Sequence, residues 1–289
     1  MPIYAPSLPP RPALDEGLPP ALVIARFDIR RVLKQRVGRF FGFMFVGSLL
    51  VQLATLYIRH LLKTQAAFGG VRDFANQVFT QGPEFHAGIL TMGGWLTTLL
   101  WFQVALVGGG LVARDSLYRI RPLMYAHPVR PLDYLLGKGL FAAGLPFVIL
   151  LPFVVLPWGM SMLIAGNNGP ISPWAPLYLL PSALIISLLM GAVTLGASSL
   201  ASSPRAGFGW VLGISLGTSA LGGLLMGLLH ESAWMAISPQ ALVRAWPALL
   251  CRVSEPPLDW IPTLIGTAFH LVLWTYLAAR RTRPSEAVL

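Results

Sequence analysis

The sequence predicts an all-α integral membrane protein with six transmembrane helices preceded by one amphipathic helix. Three observations carry that prediction. Between Lys138 and Glu231 the only formally charged side chain is Arg205. Over its 289 residues the chain is 55% hydrophobic and 11% charged, where a soluble domain is typically ~25% charged. Six separate stretches approach the roughly 20 apolar residues that a membrane-crossing helix requires. A single water-soluble core cannot hide so much apolar surface, whereas lipid accepts apolar side chains on every face of a helix.

The first residues, 1–20, are Pro-rich and contain no apolar run, so they read as a disordered tail and not as a cleavable signal peptide. Residues 21–38 follow as a basic, partly amphipathic helix. Arg26, Arg30 and Lys34 recur at four-residue steps along one stripe. Leu22, Ile29, Val32 and Leu33 lie broadly away from that stripe. Two readings are compatible: a helix lying in the membrane interface, or a basic anchor that only fixes orientation.

The spans are expected at about 40–58, 94–113, 139–165, 175–201, 207–229 and 260–279. The third is interrupted by Pro146, Pro152 and Pro157. Asn167, Asn168, Gly169 and Pro170 form a turn between the third and fourth, and Ser202, Ser203 and Pro204 break the fourth from the fifth. The single transmembrane domain thus covers 21–283, and 284–289 form a short tail. Sorting the basic residues by side places 16 of the 21 on the side of both termini. By the positive-inside rule that side is cytoplasmic, and the protein belongs in a prokaryotic inner membrane with both termini in the cytoplasm. The formal charge of +10 is then a basic rim beside anionic lipid. Nucleic-acid binding, which needs basic residues clustered with exposed aromatics on a soluble face, is excluded.

The loop 114–138 is the one long cytoplasmic connection, with five basic residues, two acids and three prolines. Pro131 suits the first position of a short helix, where its missing N–H costs nothing. A rigid, aromatic and charged loop suits docking to a cytoplasmic partner, the alternative being a tether. In the fifth span Gly209, Gly213 and Gly217 repeat at four-residue steps, a face for close helix packing within the subunit or across a subunit interface. The segment 230–259 is too polar to span and too apolar for a free loop, and Trp234 and Trp246 suit a membrane interface. Polar residues within spans are Gln52, Gln103 and His270; His270 is either a hydrogen-bonded structural residue or a proton carrier. Met160 and Met162 have no Cys or His companion and read as gap-fillers more readily than as a soft-metal pair. The single Cys251 excludes an intrachain disulfide. No phosphate-cradling GxxxxGK[ST], HExxH or GxSxG motif occurs, so catalysis on this chain is not expected.

Together the Arg114-Asp115 pair, the His127-Pro128-Val129-Arg130 turn and the Leu136-Gly137-Lys138 entry into the third span resemble the permease subunit of ABC-2 type ABC transporters. The resemblance runs from about residue 21 to 283, departing where Tyr118-Arg119-Ile120-Arg121 replaces a Gly-Thr-Leu-Glu-like run of many members. It implies a type V exporter-like architecture whose 21–38 segment is an elbow helix. It also implies a coupling loop carrying Arg114, Asp115, Arg119, Arg121, Tyr125, His127, Pro128 and Arg130, and an outer 230–259 lid. Two ATP-binding subunits would hold ATP and magnesium, with no cofactor or metal on this chain. A second permease copy or a paralogue, and further periplasmic or membrane subunits, complete the expected partners. The alternatives are an ion-coupled secondary carrier and a non-transporting membrane scaffold.

Overall fold

The structure, a computed structural model, describes residues 19–64, 82–118, 120, 129–165 and 171–282. These residues are 87% helical with no strand. Helix α1 (Pro20–Lys34) starts on a proline and ends at Gln35, whose extended backbone (ψ 140°) breaks the chain direction. Helix α2 (Arg36–Thr64) then carries the first span. The residues 36–38, expected in the amphipathic segment, therefore belong to the first span. Gly38 is required at this corner, because a Cβ there would collide with the Val32 carbonyl.

The second span is not one helix. It comprises α3 (Pro83–Thr91), a 3₁₀ turn (Met92–Gly94), α4 (Trp95–Gly108) and α5 (Ala113–Leu117). Met92 and Gly94 both have positive φ, 42° and 93°, and turn the chain between α3 and α4. Ser198 accepts hydrogen bonds from the Val112 and Ala113 amides at 2.8 and 3.3 Å, satisfying donors released between α4 and α5.

Helix α6 (Pro131–Ala165) passes without a break through Pro146, Pro152 and Pro157. The interruptions expected in the third span are absent: a spanning helix carries proline where neighbouring groups or local adjustment take up the freed backbone groups. At roughly 1.5 Å per residue α6 is about 52 Å long, well beyond the ~30 Å hydrocarbon core. Arg130 caps it: the Asp133 carboxylate accepts from the Arg130 amide at 3.2 Å, one half of a capping box. The connection between the second and third spans is correspondingly shorter than 114–138, since both ends of that segment are helical.

Helix α7 (Ala175–Leu200) is the fourth span. Ser203 then caps α8 (Pro204–Leu229) by accepting from the Ala206 amide, with Pro204 at the first position. A 3₁₀ segment (Ser232–Ile237) and α9 (Pro239–Leu250) follow before α10 (Trp260–Thr282). Among the described residues six helical stretches are long and apolar enough to cross a membrane, the arrangement of an all-α multi-pass membrane protein.

The most apolar stretch is 83% buried in the second span and 72% in the fourth, against 17% in the first and 22% in the fifth. The second and fourth spans are therefore the centre, and the first and fifth the rim. Small residues on α7 make this possible: a Cβ at Gly191 would meet the Ala143 backbone at 2.7 Å, and one at Gly196 the Trp274 carbonyl at 2.8 Å. The tightest crossing joins the second and fifth spans, where Gly207 on α8 lies against the Gly109 carbonyl.

Two outcomes check this packing. Gly207→Ala should destabilise the detergent-solubilised protein by about 1–3 kcal/mol, because the new methyl meets backbone that cannot swing aside. Gly47→Ala, which adds a methyl into open space on α2, should be neutral or stabilising by up to ~1 kcal/mol. Thermal unfolding of the two variants separates them. Cys251 is buried, and that burial pushes its thiol up to about 12. It should resist maleimide labelling between pH 7 and 9 in the folded protein and label fully in SDS; rapid labelling of the folded protein would contradict the placement of α9.

Candidate functional site

One face of α1 is buried: Ala21, Ile24, Ala25, Asp28 and Val32, at helical spacing. Four of these five are small or apolar, and the fifth is an aspartate that is 0% exposed. This face packs on the beginning of α6. Gly137 permits the contact, since a Cβ there would lie 2.7 Å from the Ala21 carbonyl and 2.8 Å from Ile24. The close approach places the next residue, Lys138, opposite Asp28.

Lys138 is 3% exposed. Its Nζ donates to Asp28 Oδ2 at 2.9 Å and lies 2.8 Å from Asp115 Oδ2. The Tyr134 hydroxyl, also fully buried, donates to the same Asp115 oxygen at 2.8 Å. Arg31 Nη1 stands 3.2 Å from Asp28 Oδ1 but makes no hydrogen bond to it, so that contact is Coulombic. Two carboxylates thus face one ammonium and the Arg31 guanidinium, with the half-buried Arg114 close enough to interact with Asp28, Asp115 and Arg31. The cluster draws together α1, α5 and α6, fixing both ends of the 118–130 connection to the amphipathic helix. Beneath it a small apolar core of Ala25, Val32, Leu111, Phe141 and Ala278 seals it from the bundle.

The geometry sorts the sequence-derived candidates. Arg26 and Arg30 are exposed, as is Lys34, on the side of α1 away from α6, with Leu22, Ile29 and Leu33 exposed on its flank. The basic stripe is therefore free, and the opposite stripe holds the helix to the protein. Asp115 is 5% exposed and its Oδ2 is held inside the protein, while its neighbour Arg114 is half-buried and Arg130 exposed. Arg119, Arg121, Tyr125, His127 and Pro128 lie outside the described residues, as do 1–18 and 283–289. Around the loop base Leu117, Tyr118, Leu132 and Leu136 are all more than half exposed.

Gly209, Gly213 and Gly217 have nothing within 4 Å of the position a Cβ would take. Packing within the subunit therefore does not use this face. Trp246, expected at a membrane interface, is 5% exposed and donates its Nε1–H to Thr267 at 2.9 Å; α9 is seated in the bundle and not spread on its surface. His270 is 3% exposed and fully used. Trp274 Nε1–H can only donate, so His270 Nδ1 accepts it at 3.0 Å, and Nε2–H donates to the Ile237 carbonyl at 2.9 Å. The two bonds require a neutral ring, which ties the sixth span to the 230–259 segment.

Asp28 and Tyr134 were not among the candidates, and Lys138 entered only as part of a motif. The signal for Asp28 was present: it is the single acid of the 21–38 segment and falls on the apolar stripe. Its partner, however, is 110 residues away. Compared with known proteins, the chain matches no family model and no curated protein.

Removing one charge tests the cluster. Lys138→Met removes the cation shared by two buried carboxylates, leaving Asp28 only its Coulombic contact with Arg31 and Asp115 only the Tyr134 hydroxyl, and should cost about 3–5 kcal/mol. Adding Asp28→Asn and Asp115→Asn to it should restore part of that loss, as measured by thermal unfolding.

Proposed function

We propose that this chain is the membrane-spanning subunit of an ATP-driven exporter of the ABC-2 type, with ATP hydrolysed by a separate chain. The observation that carries the reading is the buried Asp28–Lys138–Asp115 cluster. A connection that served only as a tether would not need both of its ends locked, by ions sealed from water, to a helix at the membrane surface. A connection that receives a push does need this, because a force applied to a loop with loose ends is dissipated in the loop. In this reading the ATPase docks on 114–138, through Arg114, Arg119, Arg121, Tyr125, His127, Pro128 and Arg130 and the exposed apolar rim of Leu117, Tyr118, Leu132 and Leu136. Asp115 serves instead as an internal strut. Motion passes rigidly into α6 and the second span and reaches α7, on which both pack.

A second permease copy, or a paralogue, would pack on the fifth span, whose Gly209, Gly213 and Gly217 face is open. The basic stripe of Arg26, Arg30 and Lys34 would meet the anionic inner leaflet of a prokaryotic plasma membrane with both termini cytoplasmic. Coupling requires that nucleotide and cargo favour different states of the bundle. The doubly bonded His270 speaks against the ion-coupled carrier, since a proton can be added there only by breaking one of its two hydrogen bonds.

The test is a mild-detergent purification of the tagged chain with assay of co-purifying ATPase activity. A stoichiometric, vanadate-sensitive P-loop ATPase is expected, and Arg119→Glu with Arg121→Glu should reduce its association at least tenfold without lowering membrane insertion. Recovery of the chain with no ATPase, or unchanged association of the double variant, would overturn the docking assignment.

A further inference from the structure

At the opposite end of the first span from the ion cluster, Arg59 presents a different electrostatic situation. It is 4% exposed. Its Nε and Nη1 are buried and have no hydrogen-bond partner. None of the ion pairs among the described residues includes it; all three involve Asp28 or Lys138 at the elbow end. Among the described residues its one close neighbour of complementary character is the Phe85 ring, 4.6 Å from the guanidinium carbon.

The local register explains how it is held. Two turns deeper on the same face of α2, Gln52 Nε2 donates to the Ile89 carbonyl at 3.3 Å. Residues 52 and 59 thus meet 89 and 85, and α2 and α3 run antiparallel with a polar seam between them. The guanidinium carbon lies over the Phe85 ring, a contact that uses the cation's charge and leaves the Nε and Nη1 donors without a hydrogen-bond partner. A buried guanidinium without a counter-charge is unfavourable, and proteins keep one where an anion completes it. Arg59 lies three residues from the end of the span Arg36–Leu62, the part of a spanning helix nearest the lipid headgroups, and the planar fork matches two oxygens of a phosphate.

We infer that Arg59, backed by Phe85, is a binding site for a phosphate oxyanion at the end of the first span remote from α1. The ligand is a phospholipid headgroup or a free phosphate, which share this chemistry. The inference does not rest on the exporter reading.

The test uses the full-length protein, delipidated in neutral detergent, and follows thermal unfolding with phosphatidylglycerol, with diacylglycerol, which lacks the phosphate, or with inorganic phosphate. Phosphatidylglycerol should raise the wild-type midpoint by about 4 °C, the order expected for saturating a site tenfold above its dissociation constant. Diacylglycerol should not. Arg59→Met should lose most of the rise while being no less stable than wild type in bare detergent, because it removes an unpaired buried charge; Arg59→Lys, which keeps the charge but not the fork, should retain a smaller rise. A rise with inorganic phosphate that Arg59→Met abolishes would support the site and assign it to the free ion. An equal rise in wild type and Arg59→Met, or none with either phosphate source, would overturn it. If Arg59→Met does not fold, native mass spectrometry of the wild type decides. Retention of one phosphatidylglycerol in preference to diacylglycerol supports the site, and equal retention overturns it.

Discussion

Two aspartates and a lysine sealed from solvent, where α1, α5 and α6 meet, set a condition that the rest of this end of the molecule must satisfy. Each ion has been taken out of water, at a cost of several kcal/mol, and the mutual geometry of the three, with Tyr134 and Arg31 beside them, offsets that cost. The elbow at Gln35 must therefore return α1 against α6, Gly137 must have no side chain, and Tyr134 must aim its hydroxyl inward. A cluster of this kind contributes little net stability compared with a well-packed apolar equivalent. Its effect is on register: α1 cannot slide or rotate on α6 without separating charges in a low-dielectric site. That is the physical reason for treating the amphipathic helix, the ends of the 118–130 connection and the entry to the third span as one mechanical body.

The bundle above this base is organised around small residues. In lipid, helices gain little from burying apolar surface against one another, so association depends on close van der Waals contact and on hydrogen bonds between helices. Gly191 and Gly196 on α7, and the Gly109–Gly207 crossing, supply the first. Ser198, Trp246 with Thr267, and His270 supply the second. The second and fourth spans end up central, and displacement of α6 or of the α5 end bears directly on them. The first and fifth spans stay at the rim. The fifth leaves an open glycine face there, and the first carries a buried guanidinium with no counter-charge among the described residues.

The number of spans was legible in the sequence because hydropathy over 20 residues needs no knowledge of partners, and six helical stretches long and apolar enough to cross a membrane are present among the described residues. Turn chemistry was legible too: Ser203-Pro204 starts α8 and Pro131 starts α6. Three kinds of feature were not. The prolines of the third span signal a break in water but are carried through a helix within a bundle. The second span is broken by backbone geometry at Met92 and Gly94, and the positive φ of Met92 is one that no sequence rule assigns to methionine. Asp28 and Lys138 meet only because two helices fold back on each other. Each residue alone reads as one more surface charge, and the acid of the Arg-Asp pair reads as a contact for a partner, although its Oδ2 faces Lys138 and Tyr134 inside the protein. Trp246 misled for a related reason: its indole N–H finds Thr267 inside the bundle, a partner that stands in for interfacial water.

The central claim is that the buried ions, and not apolar packing alone, hold α1 in register on α6. Spin labels at the exposed positions Leu33 and Leu132, in a Cys251→Ser background, would report that register by pulsed electron resonance in lipid nanodiscs. A single narrow distance distribution is predicted for this chain, broadening or splitting when Lys138 is replaced by methionine. A narrow distribution left unchanged by that replacement would contradict the account.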